Sequence, residues 1–108
     1  MDIADRIQAI VNAHPAVLFM KGTPEFPMCG FSSRAVAALR AAEVPFEAFN
    51  VLADPEVRAG LPAYANWPTF PQLFIQGELI GGCDIIEELH ASGELARILA
   101  DISGRPDA

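Results

Sequence analysis

Basic residues are scarce in this chain. Seven lysines and arginines stand against fourteen acidic residues, for a formal net charge of −7 at neutral pH. Non-specific nucleic-acid binding needs a basic footprint, so that class is excluded. The acidic balance itself suits ordinary solubility. Long apolar runs are missing as well: none approaches the roughly 20 residues of a membrane-spanning helix, and no membrane role is expected. The opening "MDIADRIQAI" is acidic and helix-like, without the basic and apolar regions of an export signal. Cysteine is rare, with two in the chain. Without an export signal, free cysteines do chemistry or bind metal more often than they staple a fold. A reducing, cytoplasmic location is expected. Repeats, low-complexity tracts and linkers are absent too.

What is present suffices for one domain over residues 1–108, with about 103–108 ("SGRPDA") a loose tail. A 52% hydrophobic content is ample for a core. In "DIADRIQAIVNA", Ile3, Ile7, Ile10 and Val11 share one helical face. The apolar run Ala16 to Met20 suits a buried strand. "KGTPEFPMCG" is a loop broken by two prolines. A helix follows with Phe31, Val36 and Leu39 inward, ending before Val44-Pro45. "PFEAFNV" alternates like a strand. Asp54-Pro55 starts a helix that runs to about Tyr64, since Asp caps and Pro fits the first position. "QLFIQGELIGG" reads as a hairpin turning at Gln76-Gly77. Asp84 caps a helix through Leu89, and Ser92, Glu94 and Leu95 open a last one. The order αβαβαββαα implies an α/β fold: a four-stranded mixed sheet with helices on both faces, containing one parallel pair.

Chemistry concentrates at "PMCGFSSR", residues 27–34. Cys29 stands where a helix begins, and main-chain N–H groups at a helix N-terminus stabilise a thiolate. Lys21, earlier in the same loop, adds positive charge. A free cysteine is also at home as a small buried hydrophobe, but Gly30 and the proline-pinned loop favour a functional thiol. The redox arrangement Cys-X-X-Cys is incomplete, because its last position is Ser32. A thiol there would attack a mixed disulfide on Cys29. A hydroxyl can only cap the helix or donate a hydrogen bond to sulfur.

In "NWPTFPQLF", Pro71 follows the bulky Phe70 at a strand start. It is either cis, exposing the Phe70 main chain to a strand-like peptide ligand, or an ordinary trans proline. Trp67 reads as a core or packing residue more than as a binding platform. "GGCD" at 81–84 is either an anion-binding turn, with Asp84 free to accept from an ammonium, or a plain tight turn. Cys83 leans towards packing, with a redox role as the other reading. Arg58 is a helix arginine without local context. His14 beside Pro15 and His90 late in a helix read as surface or capping residues, and with the two cysteines they complete no zinc site.

Together "KGTPEFPMCGFS", "NWPTFPQLF" and "GGCD" resemble the monothiol glutaredoxins of the Cys-Gly-Phe-Ser class in their short single-domain form, from about Ile3 to Ile102. The resemblance implies a thioredoxin-like fold. It implies that Cys29 is the active-site cysteine and a cluster ligand. Lys21 and Arg58 would pair with the glycine carboxylate of glutathione. The Phe70 main chain would bind the cysteinyl part, and Cys83 and Asp84 the γ-glutamyl end. It further implies a [2Fe–2S] cluster held between the subunits of a homodimer with two glutathiones. Disulfide reductase activity would be weak, and the partners would be BolA-like proteins and cluster-receiving apoproteins. Four thiolates are needed for the cluster, and one cysteine plus one glutathione per subunit supplies them. The rival is a glutathione-dependent thiol–disulfide oxidoreductase with Cys29 as nucleophile; Ser32 and the extended 21–29 loop favour the carrier.

Overall fold

The run Ala16–Met20 forms a strand, β1, whose five residues are all buried. It shows no polar alternation because it lies inside the sheet with both faces covered. Successive side chains point to opposite faces. Ala16, Leu18 and Met20 therefore enter one core layer with Val36, Leu39, Ile86 and Leu95. Val17 and Phe19 enter the other with Ile7, Val11, Val57, Leu61 and Phe74. The computed structural model describes residues 2–43 and 45–103.

The remaining elements, in chain order around β1, are helix α1 (Ile3–Ala13), helix α2 (Gly30–Ala41), strand β2 (Glu47–Asn50), a short 3-10 turn (Val51–Ala53), helix α3 (Pro55–Ala65), strands β3 (Gln72–Ile75) and β4 (Glu78–Gly81), and helices α4 (Cys83–Ala91) and α5 (Glu94–Ser103). The sheet order is β2-β1-β3-β4. β1 and β2 are parallel, Leu18 opposite Ala48, while β3 runs antiparallel to both β1 and β4. This is the four-stranded mixed sheet expected from the sequence, in the thioredoxin-like arrangement.

Local signals account for most boundaries. The Asp54 carboxylate accepts the Val57 N–H at the start of α3 and also pairs with Arg6, tying α3 to α1. Gln76 and Gly77 both have positive φ, 50° and 81°, as the two-residue turn between β3 and β4 requires. Ser92 Oγ accepts the Glu94 N–H at 3.3 Å as α5 opens.

Two expectations need correction. Phe31 is not inward but 55% exposed. The buried stripe of α2 is Ser32, Ala35, Val36, Ala38 and Leu39, so a serine takes the first inward position and its aromatic neighbour Phe31 faces out. Asp84 does not cap α4. Gly82 is the cap, and Asp84 lies in the first turn, where its charge still suits the helix dipole. The expected loose tail lies, beyond Ser103, outside the described residues, as does Val44 of the Val44-Pro45 boundary. Among the described residues no helix is long and apolar enough to cross a membrane.

Candidate functional site

β1 ends at Met20 and delivers the chain into the 21–29 loop, which is held at several points. Lys21 N–H donates to Ser32 Oγ at 3.1 Å, and Gly22 N–H donates to Asn50 Oδ1 at 2.9 Å. Met28 N–H returns to the Lys21 carbonyl at 2.8 Å. Gly22 has φ 94°, and a Cβ there would lie 2.5 Å from the Phe26 carbonyl oxygen. Only glycine fits that close approach. The loop thus presents Cys29 as the N-cap of α2, with Phe26 and Met28 exposed beside it.

The Cys29 thiol is lowered from its ordinary pKa. The first cause is the hydrogen bond from the Ser32 main-chain N–H. Partial burial opposes it, while the Phe31 N–H, the Lys21 charge and the Ser32 hydroxyl add to it. A hydroxyl is both donor and acceptor, so Ser32 can accept from Lys21 and keep its proton for the sulfur. Cys83 is the opposite case. It is buried, and burial first, then the Glu87 charge, pushes its thiol up, against the pull of Arg34. Because its folded value is depressed, the Cys29 thiolate favours the folded state above the ordinary thiol range. That contribution is lost as pH falls through the lowered value. Iodoacetamide is therefore expected to label Cys29 alone, with a rate–pH midpoint below that of a free thiol. Peptide mass spectrometry of protein labelled across a pH series checks this, and labelling of Cys83 at comparable rates would contradict it.

A cavity of about 900 Å³ opens beside Cys29. All six site residues expected from the sequence line it: Lys21, Cys29, Arg58, Phe70, Cys83 and Asp84. They arrive from the end of β1, the start of α2, the body of α3, the approach to β3 and the start of α4. The Phe70–Pro71 bond is cis. The Phe70 main chain is used in no loop or turn hydrogen bond among the described residues. Gly82 packs closely against this wall: a Cβ there would lie 3.2 Å from both Pro71 O and Trp67 Nε1, and the wall would have to give by a few tenths of an ångström to admit it. His14 and His90 stand away from the cavity.

Charge distinguishes two of these residues. Arg6, Arg34, Arg40 and Arg97 are all engaged in ion pairs. Lys21 and Arg58 form none among the described residues, and both face the cavity. Among the described residues, the cations without an ion pair thus stand together at one cavity, which suits an anionic ligand. Three residues escaped the sequence reading. Trp67 and Phe31 line the cavity rather than only packing or turning inward. Gln72 is fully buried and donates to the Trp67 and Thr69 carbonyls behind the wall. Its signal was a polar residue heading an otherwise apolar strand.

Fold and site together define a thioredoxin-fold protein with a single accessible, activated thiol. The model of the glutaredoxin family matches residues 16–80. Over 105 residues the chain is 52% identical to Glutaredoxin 4 of Pasteurella multocida (strain Pm70), covering 97% of this chain and 96% of that protein. It is 57% identical over 99 residues to Monothiol glutaredoxin-S11 of Oryza sativa subsp. japonica, covering 92% of this chain but 20% of that longer protein. The crystal structure of a buckwheat glutaredoxin–glutathione complex superimposes with a TM-score of 0.81 at 27% identity, covering 94% of this chain and 90% of that one. The chain belongs to the monothiol glutaredoxins.

Proposed function

We propose that the chain binds glutathione in this cavity and carries a [2Fe–2S] cluster shared between two copies, storing it and passing it to apoproteins. The observation that carries the reading is the isolation of one activated thiol beside the unpaired cations. Ser32 is buried with its hydroxyl engaged, and Cys83 is buried with its thiol held protonated. Neither is placed to release an adduct from Cys29. The cluster is cargo, and four thiolates must hold it. Cys29 supplies one from each copy, and two glutathiones supply the rest. Ligands that are partly small molecules can leave, which suits transfer. Lys21 and Arg58 would take the glycine carboxylate, the Phe70 main chain the cysteinyl part, and the start of α4 with Asp84 the γ-glutamyl end. The exposed Phe26, Met28 and Phe31 around Cys29 offer apolar surface for the second copy. A BolA-like protein and iron–sulfur apoproteins are the proposed partners, in the reducing cytoplasm.

Reconstitution tests this. With iron, sulfide and glutathione, size exclusion is expected to show a coloured dimer; with dithiothreitol replacing glutathione, colourless monomer. A stable cluster on monomeric protein without glutathione would overturn the reading.

The lowered Cys29 pKa favours a second reading, a glutathione-dependent oxidoreductase. The Cys29 thiolate attacks the glutathione sulfur of a mixed disulfide, the substrate leaves as its thiol, and Cys29–S–S–glutathione forms. A second glutathione thiolate then attacks that adduct, giving glutathione disulfide and regenerating Cys29. Ser32→Cys would place a thiol in the first turn of α2 and is expected to raise the reduction rate of a small glutathione mixed disulfide in a recycling assay. No gain would show that position 32 does not limit turnover.

A further inference from the structure

Gln72 opens β3 and is completely buried; with Ser32 it is one of the two buried polar residues among those described. Its side-chain nitrogen donates to two main-chain carbonyls, Trp67 O at 3.0 Å and Thr69 O at 3.2 Å. Both partners are acceptors, so the nitrogen must face them and the oxygen must face away. Among the described residues Gln72 Oε1 has no partner.

The stretch it grips has little else to hold it. Residues 67–71 form neither helix nor strand. Pro68 and Pro71 have no N–H to donate, and the Trp67 N–H is engaged by the Pro62 carbonyl at 3.0 Å. Yet this stretch supplies one wall of the cavity, through Trp67, Thr69 and Phe70.

We propose that Gln72 is a positioning residue for the ligand: it pins the 67–70 wall from behind through both amide hydrogens, holding the Phe70 main chain and the Trp67 ring in place at the cavity. The inference rests on the glutathione reading of that cavity. Packing alone would be better served by an apolar residue, because burying an unpaired amide oxygen is unfavourable. Two carbonyls need two donors from one side chain. Methionine and leucine supply none, and a buried glutamic acid supplies one at most.

Gln72→Met keeps the approximate volume and loses both bonds; Gln72→Glu keeps the shape and loses at least one. Glutathione affinity by isothermal titration is expected to weaken about tenfold in Gln72→Met. The rate of Cys29 exchange with glutathione disulfide is expected to fall relative to exchange with 2-hydroxyethyl disulfide, which lacks the peptide that meets the wall. Cys29 alkylation by iodoacetamide is expected to keep its wild-type pH profile. A lowered Tm with affinity and exchange ratio unchanged would make Gln72 a packing residue and overturn the inference. Should one variant fail to fold, the other carries the comparison, and failure of both would assign Gln72 to the core and overturn it as well. Lys21→Ala run alongside separates the two levels. Loss of binding there with normal binding in Gln72→Met overturns this inference alone, while normal binding in both overturns the reading of the cavity.

Discussion

Cys29→Ser is expected to abolish the cluster-loaded dimer, whereas Cys83→Ser keeps most of it. Two copies of the first variant retain only the two glutathione thiolates of the four that a [2Fe–2S] cluster needs. The serine is close in shape, and its hydroxyl can accept from the same Ser32 and Phe31 N–H groups that meet the thiol. Loss of the cluster therefore reads the chemistry of the sulfur rather than the fold. Cys83 has the opposite environment: buried, with its thiol pushed up by that burial. Its contribution to ligand binding would come through the main chain at the start of α4. Exchanging a buried thiol for a hydroxyl without a partner costs about 1–3 kcal/mol, so Cys83→Ser is expected to melt earlier while still binding cluster. Visible absorption and elution volume after reconstitution with glutathione measure both variants. Equal loss in the two would make Cys83 a direct ligand and the assignment wrong.

Lys21→Ala and Arg58→Ala are each expected to weaken glutathione binding by about ten- to a hundredfold. A charge-assisted hydrogen bond to a carboxylate contributes roughly 1.5–3 kcal/mol, and each 1.4 kcal/mol is about tenfold in affinity. With a net charge of −7 the chain repels an anionic tripeptide overall, so these two cations, unpaired among the described residues, must provide the local attraction. The difference between wild type and variant narrows in high salt, where part of the attraction is screened. The double variant should lose less than the combined single effects, because both residues would serve one carboxylate. The two also separate by their effect on the thiol. Lys21 is among the charges that lower Cys29, and Arg58 is not. Lys21→Ala should move the alkylation profile of Cys29 to higher pH, while Arg58→Ala leaves it in place. Titration of glutathione at two salt concentrations, with thiolate absorbance followed against pH, checks all of this. Wild-type affinity in both variants would refute the carboxylate assignment even if the cluster function stood.

Much of the architecture was legible because its causes are local. Asp54-Pro55 starts α3 through one side chain and one fixed φ. Gln76-Gly77 turns β3 into β4 because two adjacent residues accept positive φ. The run Ala16–Met20 announces a strand covered on both faces. Each of these signals operates within a few residues, so composition and order suffice to read them. Cys29 at a helix start is equally local: the Ser32 and Phe31 N–H groups that lower its thiol belong to the next turn of the same helix.

Other features depend on residues distant in sequence. Hydrophobic periodicity assigned Phe31 to the core of α2. In the fold Ser32 takes that inward place instead, where its Oγ accepts the Lys21 N–H at the end of β1. Trp67 acquired its place at the cavity from the close approach of Gly82. Gln72 was unremarkable until the Trp67 and Thr69 carbonyls came within reach of its amide. In the order of residues Lys21 is marked only by sharing the loop of Cys29, and Arg58 by no local context. They stand out because α1, α2 and α5 carry arginines that meet acidic partners, while these two meet a cavity. By itself the sequence determined the elements, their order and the activated cysteine, since backbone preference, side-chain period and helix-end electrostatics act between near neighbours. Only the tertiary structure decided which charges remain unpaired, which polar groups are buried and how the cavity wall is held, because those are properties of surfaces that meet only when the chain is folded.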